Sequence, residues 1–182
     1  MTLAHQNGLL TDRLKLLPAT PALARAELED RDEFSRLLGA KVPGDWPPEF
    51  LADALPYFLE QLERNPQLSG WLSWYWISQD GHEPILIGSG GFKGPPLLDG
   101  TVEIGYSILP ELRGRGYATE AARRLVRWAF AHRRVTRVVA EADPANARSV
   151  RVLDKLGFRR VDGVPPVASI LFQLTRSDLG CA

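Results

Sequence analysis

The sequence predicts a single-domain α/β protein built on a mixed sheet, and three observations carry that prediction. Segments with strand alternation and segments with helical spacing succeed one another along 182 residues, close to the size of one compact domain. Turn chemistry, in the form of glycine, proline, Asp-Gly and Asp-Pro, falls between those segments. No repeat, linker or low-complexity run divides the chain, and a hydrophobic share of 45% beside 24% charged residues is that of an ordinary globular protein.

Taken in order, Leu9–Leu17 alternates as a first strand closed by Pro18. Thr20-Pro21 reads as an N-cap and a first-turn proline, opening a helix that runs to Leu38 before Gly39. Residues 43–48, with Gly44 and Trp46 between prolines, form a loop. From Pro48 a second helix is expected on the spacing of Leu51, Leu55, Phe58, Leu59 and Leu62, and Pro56 should kink or split it. Strands follow near 70–78 and 84–92 around the Asp80-Gly81 turn, and Gly88, Gly90 and Gly91 point to a bulge or a close backbone approach. After a Gly/Pro-rich turn, Thr101–Leu109 is a strand, Ala118–Phe130 an amphipathic helix and Val135–Ala142 a strand ended by Asp143-Pro144. Asn146–Leu156 is a short helix stopped by Gly157 and Phe158, and last strands fit near 158–162 and 168–175.

Composition excludes several function classes. No apolar run approaches the ~20 residues of a membrane helix. The opening MTLAHQNGLL lacks the basic-then-apolar pattern of a secretory signal, so a cytoplasmic address is expected. The single cysteine, Cys181, suits a reducing compartment and, near the C-terminus, reads as a frayed thiol. His5, His82 and His132 lack ligand spacing, so no metal is expected. The net charge of zero conceals a split: residues 1–109 hold 8 Lys/Arg against 15 Asp/Glu, whereas 110–160 hold 13 against 5. A basic segment of that kind attracts a polyanionic ligand, or is simply a set of solvated helix faces. Nucleic-acid binding is disfavoured because the charges are spread over helices with few interleaved aromatics.

The chemistry concentrates where the 101–109 strand gives way to the next helix, through Arg113-Gly114-Arg115-Gly116-Tyr117-Ala118. Two glycines let successive N–H groups point into one concavity. The helix start adds unpaired donors and the positive end of its dipole. Arg113 and Arg115 add charge, so a diphosphate suits the turn. No Gly-Lys-Ser/Thr follows, which excludes a nucleoside-triphosphate loop, and the third glycine of a dinucleotide fingerprint is absent.

These residues resemble the GCN5-related N-acetyltransferases, and within them the branch that acetylates ribosomal-protein N-termini. Arg113, Gly116 and Ala118 match the family's phosphate-turn pattern, VEIGYSILPELRGRGYATEA at 102–121 its central strand and helix, and NARSVRVLDKLGF at 146–158 its following helix. TDRLKLLPAT at 11–20 is similar to the branch's first strand. The resemblance implies a mostly antiparallel mixed sheet of about six to seven strands flanked by helices, with splayed central strands. It divides the chain into an acceptor-side half, 1–100, and an acetyl-CoA-binding core, 101–160.

By that resemblance, acetyl-CoA is the cosubstrate. Ile108 and Leu109 pair with its pantetheine arm through the backbone, a strand N–H near Leu109 polarises the thioester carbonyl, and residues 113–118 take the pyrophosphate. Glu103 is the candidate base: it shares a strand face with Gly105 and Ser107, and a mid-strand carboxylate is costly to bury unpaired, although a salt-bridged carboxylate is the other reading. Family members often place a tyrosine acid near the leaving thiolate, but no tyrosine follows Tyr117, so Ser149 is the substitute. Asn146 caps its helix and could also meet the pantetheine arm. Trp46, Trp71, Trp74, Tyr75 and Trp76 could wall an acceptor groove, or could be core. The implied function is acetyl transfer from acetyl-CoA to a primary amine, on a protein N-terminus or a small molecule, by direct attack in a ternary complex. A non-catalytic CoA-binding or sensing module of the same fold is the alternative. The acceptor's identity and any homodimer are not legible in the sequence.

Overall fold

The computed structural model describes residues 8–48, 51–161 and 169–178; His5 and Cys181 lie outside them. The chain enters the sheet as a hairpin rather than as the one strand expected over 9–17. β1 (Leu9–Leu10) and β2 (Leu14–Pro18) pair antiparallel, with Leu9 opposite Leu16. Thr11 makes the reversal: its N–H donates to the Leu14 carbonyl, and its hydroxyl accepts from the Leu14 N–H, both at 2.9 Å. Threonine is also a good strand former, so the apolar alternation conceals the turn.

The helix expected over 20–38 is two helices, α1 (Pro21–Glu29) and α2 (Arg31–Leu38). Asp30 divides them, its carboxylate accepting from the N–H groups of Asp32 and Glu33 at 3.1 and 3.0 Å. The helix expected from Pro48 divides beside Pro56 into a 3-10 turn, Ala52–Ala54, and α3 (Leu55–Arg64). Pro56 falls in its first turn, where no N–H is needed.

β3 (Ser73–Ser78), β4 (Ile85–Phe92), β5 (Thr101–Ile108), α4 (Tyr117–Ala131), β6 (Arg137–Ala142), α5 (Ala147–Lys155), β7 (Arg159–Arg160) and β8 (Ile170–Thr175) follow. The sheet has eight strands in the order β1-β2-β3-β4-β5-β6-β8-β7. It exceeds the expected six to seven because of the opening hairpin. The β5–β6 pair is parallel and the other paired strands are antiparallel. Both features expected of β4 are present. Trp76 faces Gly88 while Ile77 faces Leu86, which leaves Ile87 as the bulge residue. A Cβ on Gly91 would stand 1.8 Å from the Leu72 carbonyl oxygen.

Each face of the sheet carries its own core. α4 and α5 cover Trp74, Trp76, Ile104 and Ile108 with Ala121, Leu125 and Leu153. α1–α3 cover Tyr75 and Ile77 with Ala24, Phe34 and Leu62. β3 is buried along its whole length, which favours the core reading of the aromatics over the acceptor wall. Trp74 and Trp76 belong to the first core, Trp46 and Tyr75 to the second, and Trp71 packs on Trp128 with ring centroids 4.7 Å apart.

Beneath α1 the Glu27 carboxylate accepts from the Tyr75 hydroxyl at 2.6 Å and from Trp46 Nε1 at 2.9 Å. Burial pushes this carboxyl up from its ordinary value of 4.5 to about 7, against the two hydrogen bonds that favour the charged form. The native state therefore holds the Glu27 proton more tightly than the unfolded chain does. Its contribution to stability is complete below the unfolded value and is lost as pH rises through about 7. Glu27→Gln, which mimics the neutral acid, should be stabilised over the wild type by up to about 3 kcal/mol at alkaline pH and by little in mild acid. Thermal melts of both proteins across that range check the sign.

The feature that positions the site is the parting of β5 and β6. Their ladder covers Thr101↔Arg137, Val102↔Val138 and Glu103↔Val139 and goes no further. β5 continues along β4 to Ile108, and β6 continues along β8 to Ala142. The splayed central strands expected from the resemblance are thus present.

Candidate functional site

Beyond Glu103 one edge of β5 is open, and strand alternation decides which groups lie on it. The Glu103 carbonyl accepts from Lys93 N–H, and the Leu109 N–H donates to the Ile87 carbonyl, both at 3.0 Å and both toward β4. Main-chain groups of Ile104, Tyr106 and Ile108, of opposite parity, therefore face the gap. This corrects the reading of Leu109. Its N–H is already engaged, and its side chain is buried in the α1–α3 core, so it is not placed to polarise a thioester carbonyl. Ile108 stays on the open edge, where its carbonyl accepts from Arg113 Nε at 3.0 Å.

The chain leaves β5 through a 3-10 turn, Pro110–Leu112, and enters α4 across the glycine pair. Gly114 and Gly116 have φ of 79° and 83°, the left-handed region that side chains other than glycine's adopt only with strain. A Cβ on Gly114 would meet nothing within 4 Å, and one on Gly116 only the far end of Arg13, at 3.4 Å. α4 has no side-chain cap, so its first N–H groups, from Tyr117 onward, are left without an intrahelical or capping partner, on residues that line a cavity. Uncapped donors and an aligned 15-residue helix beside open space together suit an anion, and make this turn a candidate cradle.

The β1–β2 turn braces this cradle from behind. Arg13 Nη1 donates to the Arg115 carbonyl at 3.1 Å, which keeps that oxygen outside. Glu120, in the first turn of α4, would repel an anion if unpaired. Arg13 Nη2 lies 2.7 Å from its carboxylate, and the Arg13 N–H donates to it at 3.0 Å. Burial pushes the Glu120 carboxyl up, but hydrogen bonds from Thr11 and Arg13 outweigh it and hold the group below its ordinary value. The Tyr117 side chain is structural: it is buried under the Arg13 guanidinium and donates to Asp80 at 2.9 Å. Its contribution to the cradle is its N–H.

One cavity of about 960 Å³ joins the cradle to the open edge of β5. Ile108, Arg113, Gly114, Arg115, Gly116, Tyr117, Ala118, Asn146 and Ser149 all line it; Leu109 and Glu103 do not. Asn146 caps α5, its side chain accepting from the Ser149 N–H at 3.1 Å. The Ser149 hydroxyl lies 3.1 Å from the phenol oxygen of Tyr106, also on the cavity wall. Sequence reasoning missed Tyr106 because it seeks the tyrosine acid after Tyr117, and because Tyr106 alternates with apolar Ile104 and Ile108 on the β5 face opposite Glu103. It does stack there on Trp76, yet its hydroxyl reaches past that face to α5. Burial raises the Tyr106 pKa against the Ser149 hydrogen bond, so the phenol keeps its proton.

Glu103 stands one strand step beyond the cavity wall. It shares its β5 face with Gly105 and Ser107, which line the cavity, and its carboxylate is ion-paired with Lys93, which lines it too. At 25% side-chain exposure the carboxylate is within reach of water. On this side the cavity runs between Leu51, Phe58 and Leu72 and a buried pair of hydroxyls, Ser73 and Ser89, 2.7 Å apart. The sequence marks Leu51 and Phe58 only through their helical spacing, and no signal in it marks Leu72, Ser73 or Ser89. Among the described residues no group of three or more His, Cys, Asp or Glu side chains could hold a metal, and no helix is long and apolar enough to cross a membrane.

A glycine turn into an uncapped helix start, at the mouth of a parted strand pair, has the shape and donors to suit a long ligand with an anionic end. Coenzyme A fits these residues: its diphosphate matches the open Gly114–Ala118 turn, and its amide-bearing arm matches the unladdered edge of β5. The acetyltransferase (GNAT) domain model matches residues 13–159, and the chain belongs to that family. With it goes the class expected from the sequence, acetyl-CoA-dependent N-acetyltransferases. The uncharacterized N-acetyltransferase YjdG of Bacillus subtilis (strain 168) is 35% identical over 148 residues, 81% of this chain and 87% of the relative. Among solved structures, the fold is similar to the ribosomal-protein-S5-alanine acetyltransferase of Vibrio fischeri, with a TM-score of 0.64 at 19% identity, over 94% of this chain and 97% of the other. It is also similar to Mycobacterium smegmatis RimJ in complex with CoA-disulfide, with a TM-score of 0.61 at 20% identity, over 91% and 83%.

Proposed function

We propose that the chain transfers acetyl from acetyl-CoA to a primary amine, on a peptide N-terminus or a small molecule, by direct attack with both substrates bound. The observation that carries this reading is the single cavity that joins an uncapped helix start, an open strand edge and a hydroxyl pair. Acetyl-CoA supplies an activated acyl group on sulfur, and a thiol of pKa ~8.5 leaves as its anion with little help.

The residues of the 101–160 core bind and orient that donor. N–H groups from Gly114 to Ala118 hold the diphosphate, aided by Arg113 and Arg115. Tyr106 and Ile108 offer main-chain groups to the arm. The Tyr106 and Ser149 hydroxyls, paired with one another, present a donor beside the arm's end, where sulfur accumulates charge. The acceptor comes from the 1–100 side, past Phe58 and Ser89. An amine of pKa ~8–10 is mostly protonated at neutral pH, so the carboxylate of Glu103 draws off its proton through water.

Each of Tyr106→Phe and Ser149→Ala removes one neutral hydrogen bond, worth about 0.5–1.5 kcal/mol, so turnover should fall about two- to tenfold with coenzyme affinity kept. The reading as a whole is tested by thiol release from acetyl-CoA across a panel of amines and peptide N-termini. Acceptor-dependent release supports transfer. Coenzyme binding without release from any acceptor would make the chain a binding module and refute it.

A further inference from the structure

Coenzyme A carries three phosphates, and the cradle accounts for the two of its diphosphate. The third is a monoester on the ribose, with close to two negative charges at neutral pH. Across the cavity from the cradle, α5 presents Arg148, Arg151 and Lys155 at i, i+3 and i+7, one stripe of the helix. All three are exposed, and all three line the same cavity as Gly114 and Gly116. The ion pairs among the described residues leave the three out. Like charges at this spacing destabilise a helix, so the stripe is a cost to the fold until an anion joins it.

A neighbouring basin beside α4 is also basic and shares Lys155 with the cavity, but three of its four guanidinium groups are engaged. Arg13 is held on Glu120, Arg124 Nε donates to the Leu10 carbonyl at 3.3 Å, and Arg123 Nη2 donates to the Lys155 carbonyl at 3.0 Å. That last bond ties the C-terminal end of α5 to α4, which fixes the stripe relative to the cradle that opens the same α4. The fourth guanidinium, that of Arg127, lies outside the cavity, so the charge to spare within the cavity is that of the stripe.

We propose that Arg148, Arg151 and Lys155 hold the ribose 3′-phosphate of coenzyme A, so that the protein distinguishes coenzyme A from dephospho-coenzyme A. The proposal rests on the coenzyme reading above. Exposed charge pairs are individually weak and screened by salt, so the discrimination is modest and ionic-strength-dependent.

Titration calorimetry of the full chain tests it with coenzyme A and dephospho-coenzyme A, each at low and high salt. The wild type should bind the dephospho form about tenfold more weakly at low salt, and the gap should narrow at high salt. Arg151→Gln with Lys155→Gln should bring coenzyme A down to the dephospho level while leaving dephospho-coenzyme A unchanged. Arg127→Gln, in the basin but outside the cavity, should preserve the ratio. Equal affinity of the wild type for the two ligands overturns the proposal and leaves the coenzyme reading standing. So does equal weakening of both ligands in the double variant, or loss of the ratio in Arg127→Gln. A folded wild type that binds neither ligand refutes the coenzyme reading itself, and the stripe's role falls with it.

Discussion

Gly116→Asp should abolish coenzyme A binding in a protein that still folds. At φ 83° aspartate is among the better-tolerated replacements, and a Cβ there meets only the flexible end of Arg13. The backbone penalty is on the order of 1–2 kcal/mol and falls on stability. The electrostatic penalty falls on binding. A carboxylate about 4 Å from a phosphate costs ~4 kcal/mol at an effective dielectric of ~20, which amounts to a loss of at least a hundredfold in affinity. Gly116→Ala separates the two effects, since it carries the strain without the charge; its affinity should fall less than tenfold. Circular dichroism confirms the fold of each variant, and calorimetry reads the affinity.

Glu103→Gln should reduce kcat/KM for the amine by about a hundredfold or more, the usual scale for a general base, with coenzyme affinity unchanged. Affinity is spared because Glu103 lies outside the cavity wall. The ion pair to Lys93 complicates a single substitution, because a purely structural pair would also fail when broken. Lys93→Met breaks the same pair from the other side. If Glu103 withdraws the proton, Lys93→Met loses far less activity than Glu103→Gln. Equal losses in the two variants would reduce the carboxylate to a salt-bridge partner. Steady-state kinetics with the acceptor varied decide between them.

The parts of this protein legible in the sequence are those where local chemistry and tertiary context agree. Arg113–Ala118 declares its turn through glycines that the backbone uses at positive φ, and Asn146 declares its cap through the Ser149 N–H. Gly157, also at positive φ, stops α5 where the sequence says it should. The failures have physical causes as well. Thr11 and Asp30 punctuate the chain through side-chain hydrogen bonds to nearby N–H groups, a choice that apolar periodicity does not register. The β3 aromatics leave wall and core both open in the sequence, and helices over both faces of the strand decide for core. Leu109 is diverted because its N–H closes the β4 ladder, a pairing that the sequence of β5 alone does not contain. Tyr106 serves two surroundings at once, a ring in the core and a hydroxyl at the cavity, and period-two patterning allows a residue only one.

The grip of the turn on a diphosphate is read most directly from amide resonances in a 20.2 kDa protein. On titration with coenzyme A, the N–H signals of Gly114, Arg115, Gly116, Tyr117 and Ala118 should shift saturably, together with those of Tyr106 and Ile108 along the open strand edge. If these signals stay in place at millimolar coenzyme while the protein remains folded, the turn holds no diphosphate and the proposed donor has no seat.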